Sequence, residues 1–280
     1  MDTIYACIDG QASTGAVIDG SIWAANMLAA PLQFLHVLER HPERAASTDA
    51  TGIIGFDAQD SLLQELSELD HRRAQIAQEA GRRLLAAARA RVEGAGRTAV
   101  DTLMRHGALA ETAVELEAQA RLFVVGHRPP TDTRPHLDHH LEQLVRSVHK
   151  PVLVVPGEAF SEPQRAVIAF DGSATAHKLI ARVASSPLLG GLPVVLAIAG
   201  AAPPTDALEQ AEHALRSAGF KVTTEVLDGE PEVALPTRAN KAGTVLVIGA
   251  YGHSRIRRFI LGSTTTALLR ASTVPVLVLR

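Results

Sequence analysis

Val245-Leu246-Val247-Ile248-Gly249-Ala250-Tyr251-Gly252, nine further residues, then Gly262-Ser263-Thr264-Thr265-Thr266-Ala267-Leu268-Leu269-Arg270 is the stretch that decides the fold. Its opening run is apolar without alternation, which a strand needs when both of its faces are covered, as in a parallel sheet. The run passes into a glycine-bearing loop and then into residues that read as a helix. Strand, loop and helix in that order are the unit of right-handed βαβ folds.

The same unit occurs earlier in the chain. Leu122-Phe123-Val124-Val125-Gly126 resembles Val245 to Gly249, Ile4 to Gly10 resembles Ala166 to Gly172, and Pro151 to Val155 resembles Pro275 to Leu279. The last pair is preceded at equal distance by Arg146 and Arg270. Order is kept while the offset falls from 162 to 123 and 124 residues, so the first copy carries about 40 extra residues between Glu39 and Gly81. Internal similarity of this kind implies two copies of one domain. The expected division is 1–157 and 163–280, joined near Gly157 to Pro163. Each copy is expected to be an α/β domain with a mainly parallel sheet and helices on both faces.

Helical stretches separate the strands. Thr205 to Ser217 has acidic residues near its start, Arg216 near its end and Gly219 beyond, in keeping with the helix dipole and a C-terminal glycine. Arg82 to Val92 reads as a helix ending before Gly94 and Gly96. Within the extra residues, Ser61 to Ala80 has helical apolar spacing and many charges, so a solvated helix is expected, with loop over His41 to Gly55.

Composition narrows the function. Of 280 residues, 27 are Lys or Arg and 30 Asp or Glu, a net charge of −3 that argues against nucleic-acid binding through a basic surface. A single cysteine, Cys7, excludes an internal disulfide framework and any multi-cysteine metal site, and its apolar surroundings suggest a buried small hydrophobe. No apolar run reaches the ~18 residues of a membrane span, and the start lacks the pattern of a secretory signal. A cytoplasmic location without membrane contact is therefore expected.

The chemistry concentrates in the loop of the second copy. Glycines let backbone N–H groups approach oxygen atoms, and a helix N-terminus adds unpaired donors and partial positive charge, so this is an arrangement that holds phosphates. Ser263, Thr264 and Thr265 add hydroxyls. In parallel sheets ligands sit beyond the carboxyl ends of the strands, where this loop emerges. The alternative is a plain turn at Gly249 and Gly252 with Ser263 as a helix cap. No lysine of the Gly-x4-Gly-Lys-Ser/Thr kind is present, so fast NTP hydrolysis is not expected.

Gly249-x2-Gly252-x9-Gly262-Ser263, followed by Pro275-Val276-Leu277-Val278, resembles the signature of ATP-binding universal stress proteins, and Val167 to Ser173 resembles that family's first strand and its Asp. With the repeat, the whole chain is similar to a tandem universal stress protein. The resemblance implies flavodoxin-like domains and ATP, with or without Mg, at the strand ends of the second copy. It assigns the strand end Ala169 and Phe170, with Asp171, to the adenine and ribose, and Ile198 to the adenine pocket. Gly249, Gly252, His253, Gly262, Ser263, Thr264 and Thr265 are assigned to the phosphates. It also implies pairing of the two C-terminal strands across an intramolecular pseudodimer, and leaves homodimerisation open. The expected function is a stress-associated regulatory protein read by an unidentified protein partner. A slow ATPase, an autophosphorylating enzyme and a scaffold without nucleotide are the alternatives.

The first copy departs from the signature. Gly126 survives, but Pro129 stands at the second glycine, removing a donor, and Asp138-His139 stand where the second copy has Gly262-Ser263. A carboxylate among phosphate oxygens is repulsive, so this copy is expected not to bind triphosphate. His136 and His140, four residues apart near His127, His139 and His149, allow either a metal site or a polar helix start. Arg255, Arg257 and Arg258 either reach phosphate or stay solvated, and Trp23 and Phe259 read as packing residues.

Overall fold

A computed structural model describes residues 2–39, 56–94, 100–128, 137–200, 202–250 and 262–280. Ten strands form one sheet. In the first half they are β1 (Thr3–Cys7), β2 (Leu32–Leu38), β3 (Val100–His106), β4 (Ala120–His127) and β5 (Val152–Pro156). In the second they are β6 (Arg165–Ala169), β7 (Val194–Ala199), β8 (Val222–Leu227), β9 (Thr244–Gly249) and β10 (Val276–Leu279). The order is β3-β2-β1-β4-β5-β10-β9-β6-β7-β8, the second half mirroring the first. All neighbours are parallel except β5 and β10, which pair antiparallel with Leu153 opposite Leu277. The expected pairing of the two C-terminal strands is thus the seam at the middle of the sheet.

Alternate residues of each strand bury on opposite faces, which explains the unbroken apolar runs. On one face, Ile4 and Ala6 of the first half and Ile168 and Leu196 of the second belong to one core cluster with residues of α1 (Thr14–Leu28), α2 (Phe56–Gly94), α5 (Ala174–Ser185) and α6 (Thr205–Ser217). On the other, Tyr5 and Cys7 of the first half and Leu246 and Ile248 of the second belong to a second cluster with residues of α3 (Leu109–Leu116), α4 (His139–Ser147), α7 (Pro231–Ala239) and α8 (Ser263–Ala271). Helix α6 has the limits that its charges and Gly219 predict; Gly219, at φ 89°, donates to the carbonyl of Arg216. The C-terminal Arg280 donates to the carbonyls of Arg146 and Val148 at the end of α4, tying the second half to the first where a cation suits a helix C-terminus.

The extra residues differ from the expected pair of helices. Residues 56–94 form a single helix of 39 residues that passes through Gly81 unbroken. Here glycine serves packing: a Cβ at Gly81 would lie 2.7 Å from His36 Cδ2 and 3.0 Å from Met104 Sδ, so its absence lets α2 settle on β2 and β3. Beyond it Leu85, Ala88 and Val92 are buried, and Arg91 holds Asp19 of α1 through two hydrogen bonds of 2.7 and 2.8 Å. Towards its start the helix is solvated as expected, with Leu66, Leu69 and Ile76 exposed. The expected loop over 41–55 lies outside the described residues.

Candidate functional site at the second switch point

In each half the strand order reverses beside its first strand: β1 lies between β2 and β4, and β6 between β7 and β9. Such switch points open a crevice beyond the carboxyl ends of the strands.

In the second half, β6 leads through half-buried Ala169 and buried Phe170 to exposed Asp171. The Phe170 N–H donates to the carbonyl of Ala197, and its ring meets His177 edge-on at 5.4 Å, so this side chain belongs to the core. The Asp171 carboxylate accepts the N–H of Ser173 at 2.9 Å, and the Ser173 hydroxyl accepts the N–H of Ala176, capping α5. Gly172 has φ 72°, and a Cβ there would meet Pro203 Cβ at 2.6 Å, so backbone and packing both require glycine at this turn. Ile198, in β7, is 1% exposed.

Across the crevice β9 ends at Gly249, above which Thr175 and Leu179 leave room: a Cβ there would stand 3.5 and 3.7 Å from them. Gly262 is the N-cap of α8, with no side-chain cap. Among the described residues, no side chain caps this helix start, which follows a glycine strand end. Ser263 is exposed, as a ligand-facing hydroxyl must be. The next two hydroxyls are engaged: Thr264 Oγ1 donates to Glu232 Oε1 at 2.7 Å, and Thr265 Oγ1 lies 3.5 Å from the carbonyl of Gly249. Glu232 is held below the usual carboxylate range mainly by the Thr264 hydroxyl. It sits in the first turn of α7, which starts with Pro231 and also lacks a side-chain cap, so two helix N-termini meet here. Sequence reading missed Glu232, which stands 32 residues from Thr264 in no motif. Gly252 and His253 lie outside the described residues, as do Arg255, Arg257, Arg258 and Phe259.

The first switch point holds the same backbone and is closed. Asp138, the N-cap of α4, turns its own carboxylate onto the N–H of His140 at 2.8 Å. A Cβ at Gly126 would meet Ser13 Oγ at 2.3 Å and Ser13 Cβ at 2.9 Å, so Ser13 crowds this glycine where Gly249 meets only ordinary contact distances. Arg128 crosses the crevice to donate to Gln11 Oε1 at 3.0 Å. His127 is buried with neither ring nitrogen hydrogen-bonded among the described residues, and burial holds it below the usual histidine range.

The other histidines disperse among separate partners: His140 Nδ1 pairs with Glu39 at 2.9 Å, His139 with Gln143, and His149 with Glu117. His136 lies outside the described residues, and among those described no three His, Cys, Asp or Glu side chains converge as for a metal. Cys7 is buried, and burial with Asp9 pushes its thiol up to about 12. No described helix is long and apolar enough to cross a membrane.

The model of the universal stress protein family matches residues 1–156 and again 190–280. The chain belongs to the universal stress protein family. It is 32% identical over 288 residues to the universal stress protein Slr1230 of Synechocystis, spanning all of both chains. In fold it is similar to a universal stress protein from Archaeoglobus fulgidus (TM-score 0.67, 17% identity, 99% of this chain and 98% of that one). A Pseudomonas aeruginosa protein described as a putative universal stress protein aligns with TM-score 0.61 at 20% identity, over 99% of this chain and 92% of that one.

Proposed function

We propose that this universal stress protein binds one adenine nucleotide, ATP in the first instance, at the second switch point, and that occupancy there is read by a protein partner. The observation that carries this reading is the uncapped start of α8 at Gly262, beside Gly249 and Asp171, set against a first switch point that supplies its own anion. Unpaired amides and the positive end of a helix favour phosphate, an effect of up to ~2 kcal/mol in partly buried settings. Gly249, without a side chain, supports close approach of an oxygen to the backbone, and the exposed carboxylate of Asp171 supports a role in accepting ribose hydroxyls. A bound Mg would find a carboxylate at this helix start in Glu232, the acceptor of the Thr264 hydroxyl. Purified protein denatured without added ligand should release adenine nucleotide at up to one equivalent per chain. A nucleotide-free protein that also fails to take up ATP in calorimetry would refute the proposal.

A slow phosphoryl transfer is a second reading, favoured by the Glu232–Thr264 hydrogen bond, a carboxylate in place to accept a hydroxyl proton. In that step Thr264 Oγ1 attacks the γ-phosphorus, ADP leaves, and the proton passes to Glu232. Labelled phosphate from γ-labelled ATP should then remain on the chain and vanish in Thr264→Val. Absence of label in the parent protein leaves binding without transfer.

A further inference from the structure

The pseudo-twofold at the β5–β10 seam generates two equivalent positions on the α1/α5 face, and the chain fills them differently. At the first, Phe160 from the segment joining the halves packs with Trp23 of α1, ring centroids 5.9 Å apart. Gly20 makes room for it: a Cβ there would lie 3.2 Å from the Phe160 ring and 3.1 Å from Val155 Cγ2. The offset that superimposes β1 and β2 on β6 and β7 places Arg182 at the counterpart of Gly20 and Ser185 at that of Trp23. The match of β5 to β10 sets Leu279 against Val155, and Arg121 at the start of β4 stands where the second half has buried Thr244.

At that second position there is a cavity of about 260 Å³. Its walls come from both halves, Leu28 and Leu122 from the first and Leu188, Leu189, Leu277 and Leu279 from the second, all buried members of the core on this face. Arg121, half-buried, and Arg182, exposed, also line it. Neither guanidinium has an ion pair or hydrogen bond among the described residues. Thus where one side of the seam holds an aromatic ring, the other holds apolar space of about nine water volumes with two unpartnered cations.

We propose that this cavity is a binding site for a small carboxylic acid with a ring-sized apolar body. The ring would take the place that Phe160 fills across the seam, and the carboxylate would face Arg121 and Arg182, whose planar donors suit two-point contact with its oxygens. Both halves line the site, so a bound acid would bridge the seam independently of the nucleotide position.

The test is titration of the full methyl-labelled chain with phenylacetate, with phenethylamine as the cation bearing the same ring. The expected result is phenylacetate binding at a Kd of about 1 mM or tighter, with the methyls of Leu188, Leu189, Leu277 and Leu279 shifting, while phenethylamine leaves them unmoved. Arg182→Gly, which restores the residue found across the seam, should weaken binding about tenfold or more. Ser185→Trp should abolish binding with both arginines retained. Residues 182 and 185 are exposed, so Ser185→Trp should melt with the parent, and Arg182→Gly, inside α5, only a few degrees below it. Absence of these methyl shifts, equal response to the amine, or binding that both variants keep would overturn the proposal.

Discussion

The starts of α4 and α8 are the same helix position solved in opposite ways. Each helix has nine residues and follows the fourth strand of its half, yet α4 begins on a carboxylate and α8 on a glycine. Asp138 satisfies an amide of its own helix and so occupies the place of an external anion. Gly262 leaves that place vacant of side chain, at a cost of only a few tenths of a kcal/mol in helix stability relative to a capping residue. One difference at an N-cap thus leaves the start of α4 satisfied by its own carboxylate and the start of α8 without a side-chain cap among the described residues. The surrounding contacts follow suit, with Ser13 and the Arg128–Gln11 bond on the closed side and only ordinary contact distances above Gly249 on the other.

The sharpest way to break this contrast is to make the second half imitate the first. Gly252→Pro combined with Gly262→Asp should lower ATP affinity at least about 100-fold by calorimetry, some 2.7 kcal/mol. Circular dichroism and the melting temperature should stay unchanged or rise slightly, because Asp is a good N-cap. Retained affinity would remove the phosphates from this loop.

The two strand-end glycines give a second, smaller contrast. Gly126→Ala forces a methyl into Ser13 and should destabilise the protein by about 1–3 kcal/mol in urea unfolding. Gly249→Ala meets only ordinary contact distances and should stay within about 0.5 kcal/mol of the parent. If the two cost the same, the closed and open descriptions are wrong.

The smallest effect concerns His127, whose counterpart is Ala250. Its folded pKa lies below the usual 6.5 because burial opposes the charge. Above about pH 6.5 both folded and unfolded forms are neutral and it has no effect. As pH falls through that value the unfolded chain takes the proton first, so stability drops, by at most about 1.4 kcal/mol per pH unit. His127→Leu should flatten urea midpoints between about pH 6.5 and pH 5. An unaltered slope would assign the acid sensitivity elsewhere.

Much of this was legible in the sequence because it repeats. Unbroken apolar runs marked the parallel strands, the resemblance implied the pairing of the two C-terminal strands, and Arg216 with Gly219 marked the end of α6. The odd carboxylate at Asp138 already signalled the altered helix start. What escaped depended on contacts distant in sequence. Gly81 looks like a helix stop until His36 and Met104 stand against it. Thr264 looks like a spare donor until Glu232 arrives from another helix. Nothing local in Phe160 says that its ring fills one of two equivalent sites, nor in Arg121 and Arg182 that they line the same space.

The antiparallel contact between β5 and β10 has a consequence for how many signals one molecule can carry. Two separate identical subunits joined along such an edge would give two matching sites and would come apart on dilution. Covalent linkage makes the contact independent of protein concentration, and it lets the two members diverge without ever competing with like-with-like pairing. The result is a lopsided couple of fixed stoichiometry.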